Sequence, residues 1–142
     1  MNKLALGTVQ FGMKYGIAND SNSFPQSEIK EILKLAALKN INTIDTAISY
    51  GSSEKNLGKE KLDTFNVITK LKSLPNNKRN INLWVEKEIN SSLKRLNQKK
   101  VYGLLLHNTM DLIGVNGNKI YNILTYCIRK QTLYAKFCIF MQ

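Results

Sequence analysis

Asp45 and Tyr50 stand five residues apart in the stretch NTIDTAISYG, residues 42–51, where an apolar run gives way to a loop. Two further groups hold similar places: Lys70 near the end of FNVITKL, and His107 at the end of YGLLLHN. An acid, a phenol, an amine and an imidazole form a set suited to proton transfer. A phenol ordinarily titrates near pH 10, and it gives up its proton more readily beside an ammonium group. At about 4 Å and an effective dielectric near 20, such a pair interacts by roughly 4 kcal/mol. A carboxylate would keep the ammonium charged and fixed. An imidazole would hydrogen-bond a carbonyl oxygen and orient it. Together they describe a site that protonates a developing alkoxide as hydride arrives at carbon. Taken singly, each residue has a plainer reading: Asp45 as a turn cap, Tyr50 as a half-buried aromatic, Lys70 as a surface lysine, His107 as a structural histidine. Their shared placement at the ends of apolar runs is what sets them apart.

That placement depends on the elements around them. The run from Lys3 to Thr8, closed by Gly7, reads as a buried strand, and Gly12 to Ser23 as a loop. After Pro25, Ile29, Ile32, Leu33, Ala36 and Ala37 recur at helical spacing, with Asn40 as the stop. Ile41–Asp45 is a second strand, Ser52–Gly58 a short polar helix or turn, and Phe65–Leu71 a third strand. A loop with Pro75, Asn76 and Asn77 precedes an amphipathic helix from Asn82 to Asn97, with Val85, Ile89, Leu93 and Leu96 inward. Tyr102–Asn108 is a fourth strand, apolar at consecutive positions and so expected to be covered on both faces. A further helix begins near Gly117, with Ile120, Ile123 and Leu124 inward. Strands alternating with helices predict an α/β fold with a parallel sheet. In such folds the strand C-termini open onto one side, which brings the four polar residues together. No Gly-x-Gly-x-x-Gly turn and no Gly-Lys-Ser/Thr loop is present, and GVNG at Gly114–Gly117 reads as a simple turn.

Bulk properties narrow the field. A chain of 142 residues with 43% hydrophobic content fits one globular domain. The net charge of +11 comes from scattered lysines, densest at Lys78–Arg79, Lys94–Arg95 and Lys99–Lys100. No basic stripe is interleaved with aromatics, so a solvated surface is expected rather than a nucleic-acid groove. Cys127 and Cys138 with one histidine cannot assemble a four-ligand zinc site, and no metal is expected. No apolar run approaches the roughly 18 residues of a membrane span, and the N-terminal residues lack the pattern of a secretory signal. A cytoplasmic protein with reduced thiols is expected, in which the N-x-S/T matches at Asn19 and Asn90 carry no meaning.

The segments LALGTVQFG, INTIDTAISYG, VITKL and LLLHN resemble, in order and spacing, the N-terminal half of the aldo-keto reductases. The resemblance covers roughly residues 3 to 125. It implies a (β/α)8 TIM-barrel fold and reduction of a small aldehyde or ketone with NADPH or NADH. It assigns catalysis to Asp45, Tyr50, Lys70 and His107, with Tyr50 as general acid. Gly7, Thr8 and Asp45 would lie at the nicotinamide cofactor. A complete barrel takes about 250 residues. Residues 1–126 are therefore expected to form a truncated half barrel of about four strand–helix units. Residues 127–142, from Cys127 to Gln142, read as an atypical tail, expected to be out of frame or otherwise foreign to the fold. Exposed edges on the first and fourth strands would favour self-association. The alternative to an active reductase is a catalytically inactive half barrel, acting through assembly with another chain or without function. A basic nucleic-acid binder is a third reading, carried by charge alone.

Overall fold

The computed structural model describes residues 4–17, 24–75 and 79–129. Lys3, Asn19, Asn76, Asn77, Lys78 and residues 130–142 with Cys138 lie outside the described residues. Four strands form one parallel sheet in the order β1-β2-β3-β4. They are β1 (Leu6–Gly7), β2 (Thr43–Asp45), β3 (Asn66–Leu71) and β4 (Gly103–Leu106). Between and after them run α1 (Gln26–Leu38), α2 (Ser53–Leu57), α3 (Ile81–Leu96), α4 (Met110–Ile113) and α5 (Gly117–Arg129). The alternation expected from the sequence is present, with strands shorter than the apolar runs that mark them.

Strand β3 shows how the sequence sorts its side chains. Val67, Thr69 and Leu71 are buried, while Asn66, Ile68 and Lys70 are half-buried, the period of two that a pleated strand imposes. The buried set joins Ile44 of β2, Leu104 of β4 and the helix residues Ile29, Leu33, Val85, Ile89, Leu93, Leu96, Ile120 and Leu124 in one core. The opposite face carries Asp45 and Lys70. Asn80 starts α3 by accepting a hydrogen bond from the Leu83 amide at 3.0 Å. Asn97 ends it in the left-handed conformation at φ 51°, and Asn40 does the same after α1 at φ 56°. Asparagine tolerates this conformation better than other side chains with a Cβ.

Three local expectations change. Strand β4 is covered on both faces only at its start: Gly103 and Leu104 are buried, while Leu105 and Leu106 toward the strand mouth are half-buried. Helix α1 buries Ile29, Leu33 and Ala36 with Ile32 partly covered, but Ala37 is exposed, so its inward stripe is narrower than the spacing predicts. Helix α5 continues through Arg129 with Cys127 buried, three residues into the segment expected to lack a period. Cys127 lies three, four and seven residues beyond Leu124, Ile123 and Ile120, on the face that these three bury. Among the described residues, no helix is long and apolar enough to cross a membrane.

Burial, and after it the nearby Glu86 carboxylate, hold the Cys127 thiol above its ordinary value. The neutral thiol is thus the favoured form in the folded protein, and the thiolate gains only at pH above the ordinary thiol range. In a Cys138→Ser variant, labelling of Cys127 by a thiol-selective disulfide reagent at pH 8 should be much slower than that of free cysteine, and guanidinium should abolish the difference. Equal rates in folded and unfolded protein would contradict the burial of this α5 face.

Candidate active site

Each element delivers one group to the C-terminal end of the sheet. Asp45 is the last residue of β2, paired with Gly7 of β1 on one side and Ile68 of β3 on the other. Lys70 lies two residues past Ile68, on the same face of the sheet as Asp45. Its Nζ donates to Asp45 Oδ1 at 2.8 Å and Oδ2 at 2.6 Å, to the Thr46 carbonyl at 3.1 Å and to Tyr50 Oη at 3.2 Å. An ammonium has three N–H donors, so the carboxylate contact is a shared fork. The lysine side chain is 17% exposed and the aspartate 35%, which places the ion pair at the rim rather than in the core. Lys70 Nζ also lies 4.9 Å from the centre of the Tyr50 ring.

His107 directly follows β4, and its amide donates to the Leu71 carbonyl at 2.9 Å, which extends the β3–β4 pairing to the strand mouth. The imidazole packs edge-on to the Tyr50 ring, with centroids 6.1 Å apart and planes at 81°. Its Nδ1 lies 3.1 Å from Ser49 Oγ. When the serine donates to Nδ1, the ring proton sits on Nε2. All four residues expected to act together are therefore neighbours.

Gly7 and Thr8 part company. Gly7 is exposed at the end of β1, and a Cβ built there would meet nothing within 4 Å. Thr8 is fully buried, and both its amide and its hydroxyl donate to the Asp45 carbonyl at 3.0 Å. Gly7 thus offers open space beside the Asp45 position, while the Thr8 side chain works from below, fixing Asp45.

The Tyr50 turn is seated by residues that the sequence does not single out. Ser53 Oγ donates to the Thr8 carbonyl at 2.8 Å and lies 3.2 Å from Thr46 Oγ1, all in a fully buried layer beneath Asp45. Gly51 turns the chain at φ 57°, a conformation that favours glycine. Gly12 meets this turn backbone to backbone, its carbonyl accepting from the Ser52 amide at 3.1 Å. Glu54 is buried one residue further on. Ser49 stands inside the quoted motif, so its position could have been noticed; the burial of Ser53 and Glu54 has no signature in so polar a stretch.

A sequence model described as "Aldo/keto reductase family" matches residues 3–111. The chain belongs to this family. No curated protein matches the chain. Among solved structures, it is similar to a protein of Pseudomonas aeruginosa assigned to the aldo-keto reductases, at 27% identity and a TM-score of 0.75, covering 92% of this chain and 52% of that one. The thermostable aldo-keto reductase Tm1743, solved with the inhibitor epalrestat, has 22% identity and a TM-score of 0.68 over 94% of this chain and 47% of its own. The holo form of an aldo-keto reductase from Bacillus halodurans has 17% identity and a TM-score of 0.69, over 92% and 43%. This aldo/keto reductase family member spans about half the length of the solved structures it matches. Its four parallel strands with alternating helices form a half of the family's (β/α)8 barrel. Among the described residues, no group of three or more His, Cys, Asp or Glu could hold a metal ion.

A Cβ at Gly12 would fall 2.0 Å from the Tyr50 carbonyl oxygen and 2.1 Å from the Ser53 amide nitrogen, both backbone atoms. Gly12→Ala should therefore displace the Tyr50 turn and destabilise the fold by about 1–3 kcal/mol or more. Urea denaturation measures the loss, and a variant as stable as the parent would contradict this seating of the turn.

Proposed function

We propose that the chain carries the proton-transfer half of a carbonyl reductase site, acting in the cytoplasm on a small aldehyde or ketone with NADPH or NADH. The observation that carries this reading is the 3.2 Å contact between Lys70 Nζ and Tyr50 Oη, with Asp45 gripping the same ammonium. Because the ammonium occupies a lone pair of the phenol oxygen, the Tyr50 O–H must point elsewhere. The open side is the strand mouth, where a substrate oxygen would lie. As negative charge grows on that oxygen, Tyr50 gives it a proton, and the resulting phenolate stays beside the Lys70 cation. Asp45 holds the ammonium so that this stabilisation needs no rearrangement. His107, with Ser49 donating to Nδ1, presents Nε2–H to the same carbonyl oxygen and fixes its direction.

A nicotinamide cofactor would lie at Gly7, next to Asp45, where the strand end is exposed and the space beside the backbone is open. Gly7 and Asp45 would hold it, with Thr8 bracing Asp45 from beneath. When bound, NADPH or NADH supplies the hydride that goes to the carbonyl carbon. General acid catalysis contributes typically about 10²- to 10⁴-fold. With purified chain, NADPH and simple aldehydes, Tyr50→Phe should lower cofactor oxidation by about that factor, while fluorescence titration of NADPH binding is unchanged. Equal oxidation rates in parent and variant would remove Tyr50 as the acid.

A second reading, assembly with another chain, is favoured by where apolar surface is exposed. Apart from Leu83, the exposed large apolar side chains among the described residues all lie in or beside the first and fourth strand–helix units. Leu4 and Met13 lie beside β1, and Leu35 and Leu38 in α1; Tyr102 lies beside β4, Met110 and Ile113 in α4, and Tyr126 in α5. Those are the units beside the two open sheet edges, which are sites of strand addition. Light scattering on the purified chain should give a mass of at least a dimer, rising with salt as the like charges are screened. A monomer at all concentrations and salt levels would count against self-association.

A further inference from the structure

Glu54 is an ionisable group that the proposed proton transfer leaves unused, and it is only 1% exposed. It stands in the first turn of α2. Its Oε1 accepts hydrogen bonds from Thr69 Oγ1 at 2.7 Å and from Ser92 Oγ at 2.5 Å. Its Oε2 accepts one from Arg95 Nε at 2.7 Å, and Arg95 Nη2 lies at the same distance. Thr69 and Ser92 are themselves buried. One carboxylate thus binds α2, β3 and α3 together.

The places of these partners along the chain give the contact its meaning. Thr69 immediately precedes Lys70 on β3 and points to the other face of the strand. Glu54 follows Tyr50 by four residues, across the turn at Gly51. The two segments that Glu54 joins are therefore the ones that carry the ammonium and the phenol. Taking a carboxylate out of water is costly, and a buried ion pair often stabilises a fold no more than apolar packing of the same volume would. Apolar packing lacks direction, however, whereas several short bonds to a charged oxygen pair define one placement of α2 against β3.

We infer that Glu54 is a positioning residue, which holds the Tyr50 turn against β3 so that Tyr50 Oη meets Lys70 Nζ. Its catalytic meaning rests on the role proposed for Tyr50, but its geometry can be tested separately. The readout is the nuclear Overhauser effect between the Tyr50 ring and the Lys70 ε-methylene in the full chain. Glu54→Gln keeps the shape and removes the charge facing Arg95, and it should abolish this signal while helical circular dichroism is retained. Ser92→Ala and Thr69→Val, which each remove one bond, should weaken it. Ile120→Val, which thins the core under α5 away from the cluster, should leave it intact. Full signal in a folded Glu54→Gln protein overturns the inference. If that variant does not fold, full signal in both hydroxyl variants overturns it instead. Equal loss in Ile120→Val does so too, since general loosening would then explain the effect. In carbonyl reduction, Glu54→Gln should lower kcat by about 10- to 100-fold with KM unchanged, the scale of a small misplacement. A parent chain that shows the expected signals but reduces no carbonyl would defeat the Tyr50 reading and leave the positioning of Glu54 standing.

Discussion

The Lys70 ammonium is shared between the Asp45 carboxylate, the Thr46 carbonyl and the Tyr50 phenol, and the surrounding structure is arranged to make that sharing compatible with a half-buried lysine. A cation at 17% exposure has lost most of its water, so its donors must find protein acceptors. Asp45 supplies charge and the Thr46 carbonyl supplies direction. Tyr50 completes the set through its phenol oxygen. Removing Asp45 would leave the ammonium partly uncompensated, which is a larger cost than the net contribution of the pair.

Holding three chain segments at such distances requires rigid support, and it comes from the layer under the sheet's C-terminal edge. Thr8, Thr46 and Ser53 are buried hydroxyls that satisfy one another and the backbone around Asp45. One step further out, between α2, β3 and α3, the Glu54 carboxylate accepts from Thr69, Ser92 and Arg95 Nε, while Arg95 Nη2 lies at ion-pair distance without a hydrogen bond. Directional bonds of this type favour one arrangement of the segments over many. The centre of the sheet is consequently well determined. Its margins differ: β1 and β4 end the sheet, and exposed apolar side chains lie in the elements around them.

Much of this was legible in the sequence because it is periodic or local. The alternation of Val67, Thr69 and Leu71 with Ile68 and Lys70 marks a strand, and Val85, Ile89, Leu93 and Leu96 mark a helix, whatever surrounds them. The four proposed catalytic residues could be picked out because strand ends in a parallel sheet share a side. What escaped notice depends on distant partners. Ser53 and Glu54 look like the polar face of a short helix until Thr8, Thr69 and Arg95 close over them. The family resemblance places Thr8 near the cofactor, but its burial and its hydroxyl bond to the Asp45 carbonyl have no signature in the sequence. The half-burial of Leu105 and Leu106 is hidden for a related reason: an apolar run tells what could be buried, and not which of its residues are covered.

The shared Lys70 ammonium is open to direct measurement, because a crystal structure of the chain at high resolution reads its head group. Nζ should lie within hydrogen-bond range, about 2.6–3.3 Å, of both an Asp45 carboxylate oxygen and Tyr50 Oη in the same molecule. A lysine turned out to solvent, or a phenol oxygen beyond about 6 Å from the ammonium, outside the range at which a neighbouring charge shifts a proton equilibrium, would contradict it.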